Sequence, residues 1–273
     1  MAAHLQARAR RGRARDRRTK DALARPLPAG DWKAVTLRLA AGAVVLWGLL
    51  SLIGLAVTHL LHSAGFHAAD LSVDKWLAVH RTGALNVVTY IGTTMAQTTT
   101  AIGVTVVAVL LLRWRLGRWH ESGIFITVMA GELLIFLGIT ATIHEPRPPV
   151  ARLDAAPPTS SFPSGHTAAA VALYGGIAVM IFWIYGRSTV TRIAAGVLFC
   201  IPVYVGLSRL YRGMHYPTDV LAGALLGGLW LLLVTKTLLQ PAAAPRPRAA
   251  RAQARPGPAR RRAAVLQPRA RRS

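Results

Sequence analysis

The feature that most constrains the fold is a series of apolar segments, each long enough to cross a bilayer. A helix needs about 20 mostly apolar residues to span the hydrocarbon layer. A polar run at 94–100 interrupts the second segment, so a kinked helix or two half-helices would both fit there. The sequence therefore predicts an all-α fold, a six-helix integral membrane bundle. Its predicted spans are 37–61, roughly 87–112, 122–143, 167–184, 193–207 and 220–239.

Almost all the excess charge lies at the two ends of the chain. The net charge is +23, although 53% of the residues are hydrophobic. Basic residues crowd both ends, so we predict a basic disordered tail at 1–34, a membrane domain at 35–240 and an Arg/Pro/Ala-rich disordered tail at 241–273. Single-strand nucleic-acid binders interleave aromatic side chains with the charge, and these tails have almost none. We therefore expect anionic lipids, and no nucleic acid, as the partners of the tails.

Lys and Arg in the short loops predict the orientation in the membrane. Both tails are basic, so both termini should be cytoplasmic, which requires an even number of spans. Arg113, Arg115 and Arg118 follow the second segment, and Arg187 and Arg192 follow the fourth, in agreement with that pattern. The prediction is a multi-pass cell-membrane protein. The loops after its third and fifth spans are then extracytoplasmic.

Three short polar clusters lie at these extracytoplasmic ends. Together they contain two arginines, two histidines, a carboxylate and a Ser-Gly turn, the groups needed to hold a phosphate and break its ester. Their position beside hydrocarbon indicates that the phosphate belongs to a lipid. The clusters are Arg147-Pro148, then Pro163-Ser164-Gly165-His166, then Ser208-Arg209 with His215 and Asp219.

Local chemistry supports a phosphate site at the second and third clusters. Ser164 can cap the following helix, and Gly165 lets the backbone approach a ligand at a helix N-terminus. A plain cap with a surface histidine would explain that cluster equally well. His215 and Asp219 are four residues apart around Pro217, so the carboxylate can accept one imidazole N–H. That bond would leave the other nitrogen free as a nucleophile.

The two arginines of these clusters allow two interpretations. Arg147 and Arg209 could bind the phosphate through their planar guanidinium groups. Each alone could also be an interfacial residue whose head group reaches water.

Taken together, the clusters resemble the signature of the type 2 phosphatidic acid phosphatase family, which is related to the vanadium haloperoxidases. That family has an Arg-Pro motif, a Pro-Ser-Gly-His motif, and Ser-Arg followed by His and then Asp. The segment 209–219 matches the third spacing in full, and 163–166 matches the second. The resemblance covers about 83–239 and neither tail. It implies the six-span fold and requires no metal or cofactor.

The resemblance also implies a role for each matching residue. His215 would attack phosphorus and form a phosphohistidine, and Asp219 would orient it. His166 would protonate the leaving oxygen and then activate water. The equatorial phosphate oxygens would be held by Arg147, Ser164, the Gly165 amide and Arg209.

One position departs from the family pattern. The family has a lysine seven residues before the arginine of the first motif, and here that residue is Thr140. Losing one charge-stabilising donor can cost about 10²–10³ in rate. Either Arg152 or His144 compensates, or the enzyme is slow, or its substrate needs less charge cancelled.

The predicted function is a metal-independent, outward-facing lipid phosphatase. Candidate substrates are phosphatidate, phosphatidylglycerol phosphate and a polyprenyl pyrophosphate such as undecaprenyl pyrophosphate. One alternative is a phosphotransferase that passes the phosphoryl group to an alcohol or sugar. The other is a non-enzymatic protein that only binds lipid phosphate, an alternative motivated by Thr140. The sequence predicts no oligomeric state.

Four further features carry expectations. Glu132 in the third span is either part of a site or a helix-to-helix hydrogen-bonding group. The spacing of Gly223 and Gly227 favours close packing within the monomer over dimerisation. The loop 149–162 is expected to contact the headgroup rather than to be an inert connector. Cys200 is expected to be a small buried hydrophobe.

Overall fold

The computed structural model describes residues 32–60 and 65–239, so both predicted tails lie outside the described residues. Within those ranges all the regular structure is helical, and six helices are long and apolar enough to cross a membrane. The predicted fold class is confirmed. The helices are α1 Trp32–Leu55, continued by a π-helix Ala56–Leu60, then α2 Phe66–Val79, α3 Gly83–Thr94, α4 Thr98–Leu116, α5 His120–Thr142, α6 Gly165–Tyr185, α7 Thr189–Tyr211 and α8 Pro217–Leu238.

The second span is shorter than predicted. The polar run divides the segment into α3 and α4, and only α4 (Thr98–Leu116) is a candidate span. The Thr94 hydroxyl donates to the Ile91 carbonyl at 2.8 Å, and Gln97 adopts an extended backbone. Local hydrogen bonds of this kind compete with helix continuation. The twelve-residue helix α3 is therefore a separate element beside the bundle.

The fifth span is longer than predicted and changes the setting of the third cluster. It begins after a capping box formed by Ser188 and Thr191, contains Pro202, and ends at Tyr211. Arg209 therefore lies on the last turn of α7 and not in a loop. Cys200, also on α7, is exposed on the outside of the bundle, so the expectation that it is buried was wrong.

Helices α6 and α8 cross at very short range because two glycines of α8 face α6. A Cβ at Gly223 would overlap the carbonyl oxygen of Ser164, and one at Gly227 would meet the Ala168 carbonyl oxygen at 2.5 Å. This packing lies within one chain, as the glycine spacing predicted. It also brings the start of α6 to the start of α8, where the Ser164 amide donates to the Asp219 carbonyl at 2.9 Å.

We expect Gly223→Ala to destabilise the bundle. The new methyl group would push α8 away from the Ser164 carbonyl, and such overpacking costs about 1–3 kcal/mol. The measurement is the thermal unfolding midpoint of the purified protein in detergent. Gly228→Ala is the matched control, because its nearest neighbour is Val171 Cγ1 at 4.0 Å. Equal midpoints for the two variants would contradict the close-packing argument.

Candidate active site

His215 lies in the short turn between α7 and α8 and is 3% exposed. Its Nδ1 is 2.8 Å from the carbonyl oxygen of Ser161. Since a carbonyl only accepts, Nδ1 carries the proton and Nε2 carries the lone pair. The Nε2 atom lies 3.4 Å from Nη1 of Arg147. Burial lowers the pKa of His215 and so favours the neutral imidazole. This effect outweighs that of Asp219, which raises the pKa.

The direct partner of the imidazole differs from the predicted one. Asp219 Oδ2 is 3.6 Å from His215 Nδ1, too far for a good hydrogen bond. It accepts instead from Ser161 Oγ at 2.5 Å and from the Tyr216 amide at 3.0 Å. The reason is position: Asp219 is in the first turn of α8, where free backbone N–H groups need an acceptor. Asp219 therefore acts on the imidazole through Ser161 and through its charge.

The second cluster forms the start of α6, but Ser164 does not cap the helix with its side chain. The Ser164 hydroxyl accepts from Thr167 Oγ1 at 3.0 Å, so the first-turn N–H groups of α6 receive no side-chain cap. A Cβ on Gly165 would lie 2.8 Å from the Phe136 ring, so packing against α5 also requires glycine there. His166 is half-buried in this first turn, within electrostatic range of His215.

Arg147 lies next to the imidazole of His215 and also lines a cavity. Its Nη1 donates to the Met214 carbonyl at 2.8 Å, and its Nη2 lies 3.4 Å from the Thr159 carbonyl. Burial lowers the pKa of Arg147, and Asp219 opposes that effect. The cavity has a volume of about 510 Å³, a usual size for a small-molecule site. Its lining residues are Thr58, His59, His67, Glu145, Pro146, Arg147, Pro149 and Tyr216.

Arg209 is 3% exposed and is held from two sides. Its Nη1 donates to Thr93 Oγ1 at 2.6 Å and to Asp154 Oδ2 at 2.9 Å. Its Nε is buried and has no hydrogen-bond acceptor among the described residues. Arg212 donates from Nε to the same Asp154 at 2.8 Å. Although burial opposes it, these two guanidinium groups hold the pKa of Asp154 below its ordinary value.

Thr140, at the position of the family lysine, is buried at the end of α5, where its hydroxyl donates to the Leu137 carbonyl at 3.1 Å. Both replacements that we considered, His144 and Arg152, are exposed. Arg152 lies close enough to Arg147 for the two positive charges to repel each other, which lowers the pKa of Arg147 further.

Several residues of the site could not be found from the motifs. Ser161 bridges His215 and Asp219, while Asp154 and Thr93 hold Arg209. Asp154 and Ser161 lie in the loop 149–162, which the sequence marked by its position and by Arg152, Asp154 and two prolines, without assigning a partner to either residue. This loop packs against the site through its backbone as well, since the Leu153 amide donates to the Arg212 carbonyl at 3.1 Å. The loop therefore supports the site, and its contact with the headgroup stays a prediction.

Comparison with known proteins points to one family. The model of the PAP2 superfamily matches residues 121–241. A solved structure, the first transmembrane PAP2 type phosphatidylglycerolphosphate phosphatase from Bacillus subtilis, superposes with a TM-score of 0.63 at 27% identity. That match covers 70% of this chain and 94% of the other.

Curated relatives match over a shorter region. Phosphatidylglycerophosphatase B of Bacillus subtilis is 42% identical over 78 residues, 27% of this chain and 37% of that protein. The bacitracin transport permease protein BcrC of Bacillus licheniformis is 41% identical over 76 residues, 28% of this chain and 32% of that protein. The lipid A 1-phosphatase of Rhizobium etli is 36% identical over 75 residues, 28% of each chain. The chain thus matches about a third of the length of these curated relatives.

Proposed function

Residues 121–241 of this chain belong to the PAP2 superfamily, and on that premise we propose that the protein is an integral membrane phosphatase acting on a lipid phosphate. The substrate is a phosphomonoester or a pyrophosphate. Two of the matched relatives are named as a phosphatidylglycerophosphatase and a lipid A 1-phosphatase, so lipid phosphates are the first class to test.

The observation that carries this proposal is the state of His215. Its Nδ1 proton is bound by the Ser161 carbonyl, and its Nε2 lone pair faces the guanidinium of Arg147. The imidazole is neutral, one of its nitrogens is held, and the other faces a cation that can bind a phosphate. This arrangement suits attack on the phosphorus atom of that phosphate. Ser161 in turn donates to Asp219, whose charge would stabilise the cation formed on the ring.

The proposed reaction has two steps. In the first, His215 Nε2 attacks phosphorus, the ester P–O bond breaks, and the leaving oxygen takes a proton from His166. In the second, water gives a proton to His166 and attacks the phosphohistidine. The P–N bond then breaks, and its electron pair returns to the ring. The enzyme ends as it began, and inorganic phosphate is released.

Charge on the transferred phosphoryl group would be balanced by fixed donors. Arg147 and Arg209 supply guanidinium groups, and the buried Nε of Arg209 lacks an acceptor among the described residues. The uncapped N-terminus of α6 adds backbone N–H groups on the side of Ser164. Donors of this type stabilise phosphoryl transfer electrostatically, so we propose that turnover requires no metal.

The test is phosphate release by the purified full-length protein in detergent micelles. The panel contains phosphatidate, phosphatidylglycerol phosphate, undecaprenyl pyrophosphate and lipid A 1-phosphate. We expect release from at least one of them, unchanged by EDTA. Binding without release across the panel would refute the enzyme and leave the lipid-phosphate-binding alternative. Transfer of phosphate to added glycerol in preference to water would replace the hydrolase with a phosphotransferase.

We also propose that the site faces the extracytoplasmic side. The loops 143–164 and 212–216 lie at one end of the spans, and Arg113, Arg115 and Arg187 lie at the other. The positive-inside rule assigns the second end to the cytoplasm.

We expect a cysteine placed at exposed Ala155 to react in intact cells with a membrane-impermeant thiol reagent. A cysteine at Arg187 should react only after permeabilisation. Both variants are built on Cys200→Ser, which removes the single native cysteine. The reverse labelling pattern would place the site on the cytoplasmic side.

A further inference from the structure

A buried carboxyl group lies against Asp219 from the loop that follows α5. Glu145 is 6% exposed and Asp219 is 0% exposed, and the two carboxyl groups lie close enough for the charge of Asp219 to act on Glu145. Glu145 belongs to none of the three sequence clusters. Glu145 is thus a second buried acid beside Asp219, and the mechanism above uses only Asp219.

The hydrogen-bond pattern leaves one oxygen of each acid without a donor. Asp219 Oδ1 and Glu145 Oε2 are both buried and have no partner among the described residues. Asp219 Oδ2, in contrast, accepts from Ser161 and from the Tyr216 amide. Two ionised carboxylates in contact would repel each other, and buried acceptors without donors are costly. A single proton between the two acids removes both problems.

We propose that Glu145 and Asp219 share one proton, carried by Glu145, and that Glu145 is thereby a positioning residue for the nucleophile His215. This inference rests on the proposed function. The shared proton leaves the pair with one negative charge, which matches the single imidazolium-like charge formed during attack. Glu145 touches neither phosphorus nor the leaving group in this arrangement.

The backbone explains how Glu145 reaches the imidazole. The Ser161 amide donates to the Glu145 carbonyl at 2.9 Å, and the Glu145 amide donates to Ser160 Oγ at 3.0 Å. Glu145 is therefore attached to the same loop residue whose carbonyl holds His215 Nδ1 at 2.8 Å. Ser161 thus contacts Glu145, Asp219 and the imidazole, each through a different one of its atoms. Loss of the shared proton would disturb all three contacts.

The pH response follows from the surroundings of Glu145. Burial raises its pKa to about 8, and the charges of Asp219 and Asp70 act in the same direction. Below that value the proton is present, and as the pH rises through it a second negative charge appears beside Asp219. We therefore expect activity to fall at alkaline pH. The other titratable or charged groups near this pair are Asp74, Tyr216, Arg147, His215, and the cavity residues His59 and His67.

The kinetic test compares two substitutions at one position. Glu145→Gln retains an N–H donor for Asp219, so we expect kcat at neutral pH within about threefold of the parent and no alkaline fall. Glu145→Leu removes the donor, and losing a buried hydrogen bond to a charged group should lower kcat roughly 10- to 100-fold. Glu132→Gln, a buried glutamate within α5, is the matched control and should keep the parent profile. A Gln variant as slow as Leu, or one that keeps the alkaline fall, overturns the proposal.

A spectroscopic test does not depend on turnover. The infrared difference between the parent and Glu145→Gln should show the C=O stretch of a protonated carboxylic acid at neutral pH, and the band should vanish at alkaline pH. A spectrum with only carboxylate bands at neutral pH would overturn the shared proton, even in an active enzyme. The acid band in a protein that hydrolyses no lipid would instead refute the proposed function and retain the carboxyl pair.

Discussion

Replacing His215 by alanine is expected to lower kcat by about 10⁵-fold or more, the scale found when the central nucleophile or base of a hydrolase is removed. The imidazole supplies the only nitrogen that we assign to attack on phosphorus. Arg147 and Arg209 would still bind the phosphate, so the affinity for the lipid should fall far less than kcat. The measurement is phosphate release under saturating lipid, together with binding of the lipid to the variant.

A trapping experiment tests the same role directly. The parent enzyme, quenched during turnover with a phosphorus-labelled lipid, should carry an acid-labile label, and the His215→Ala protein should carry none. His80→Ala is the matched control, because His80 is an exposed histidine at the end of α2 and should behave as the parent does. Full activity in the His215 variant would end the nucleophile assignment. So would a labelled variant protein.

Replacing His166 by alanine is expected to cost roughly 10²–10⁴ in rate, the usual scale for general acid–base catalysis. The effect should depend on the leaving group. A lipid alkoxide is a poor leaving group and needs the proton, whereas a nitrophenolate does not. The rate of phosphoenzyme formation should therefore fall strongly with the lipid and only slightly with an activated aryl phosphate.

The second step of the reaction tests the role of His166 independently. Without His166 no group would activate water, so the phosphohistidine should accumulate when the variant is given the activated aryl phosphate. The expected record is a burst of nitrophenolate equal to the enzyme concentration, followed by slow turnover. An equal rate loss for both substrates, with no burst, would contradict the acid–base role and leave His166 as a structural residue.

Much of the membrane architecture could be predicted because it depends on local properties. Five of the six spans were placed within about five residues of their ends in the structure. The second segment is divided into two helices, one of the two alternatives that its polar run left open, because the Thr94 hydroxyl competes for a backbone carbonyl and Gln97 is extended. The predicted contact between His215 and Asp219 is present but, at 3.6 Å, longer than a good hydrogen bond. Helical spacing placed Asp219 on the correct face, but its carboxylate is taken by Ser161 and by the Tyr216 amide.

The sequence alone determined that this chain forms a bundle of membrane helices, because in hydrocarbon each backbone N–H and C=O must find its partner within its own helix. It also predicted which residues match the motifs of the family. Only the tertiary structure decided their neighbours: Ser161 is 54 positions from His215, and Thr93 is 116 positions from Arg209. Such pairs meet through the crossing of α6 and α8 and the placement of α3. Both result from side-chain packing between distant segments, which no local pattern encodes.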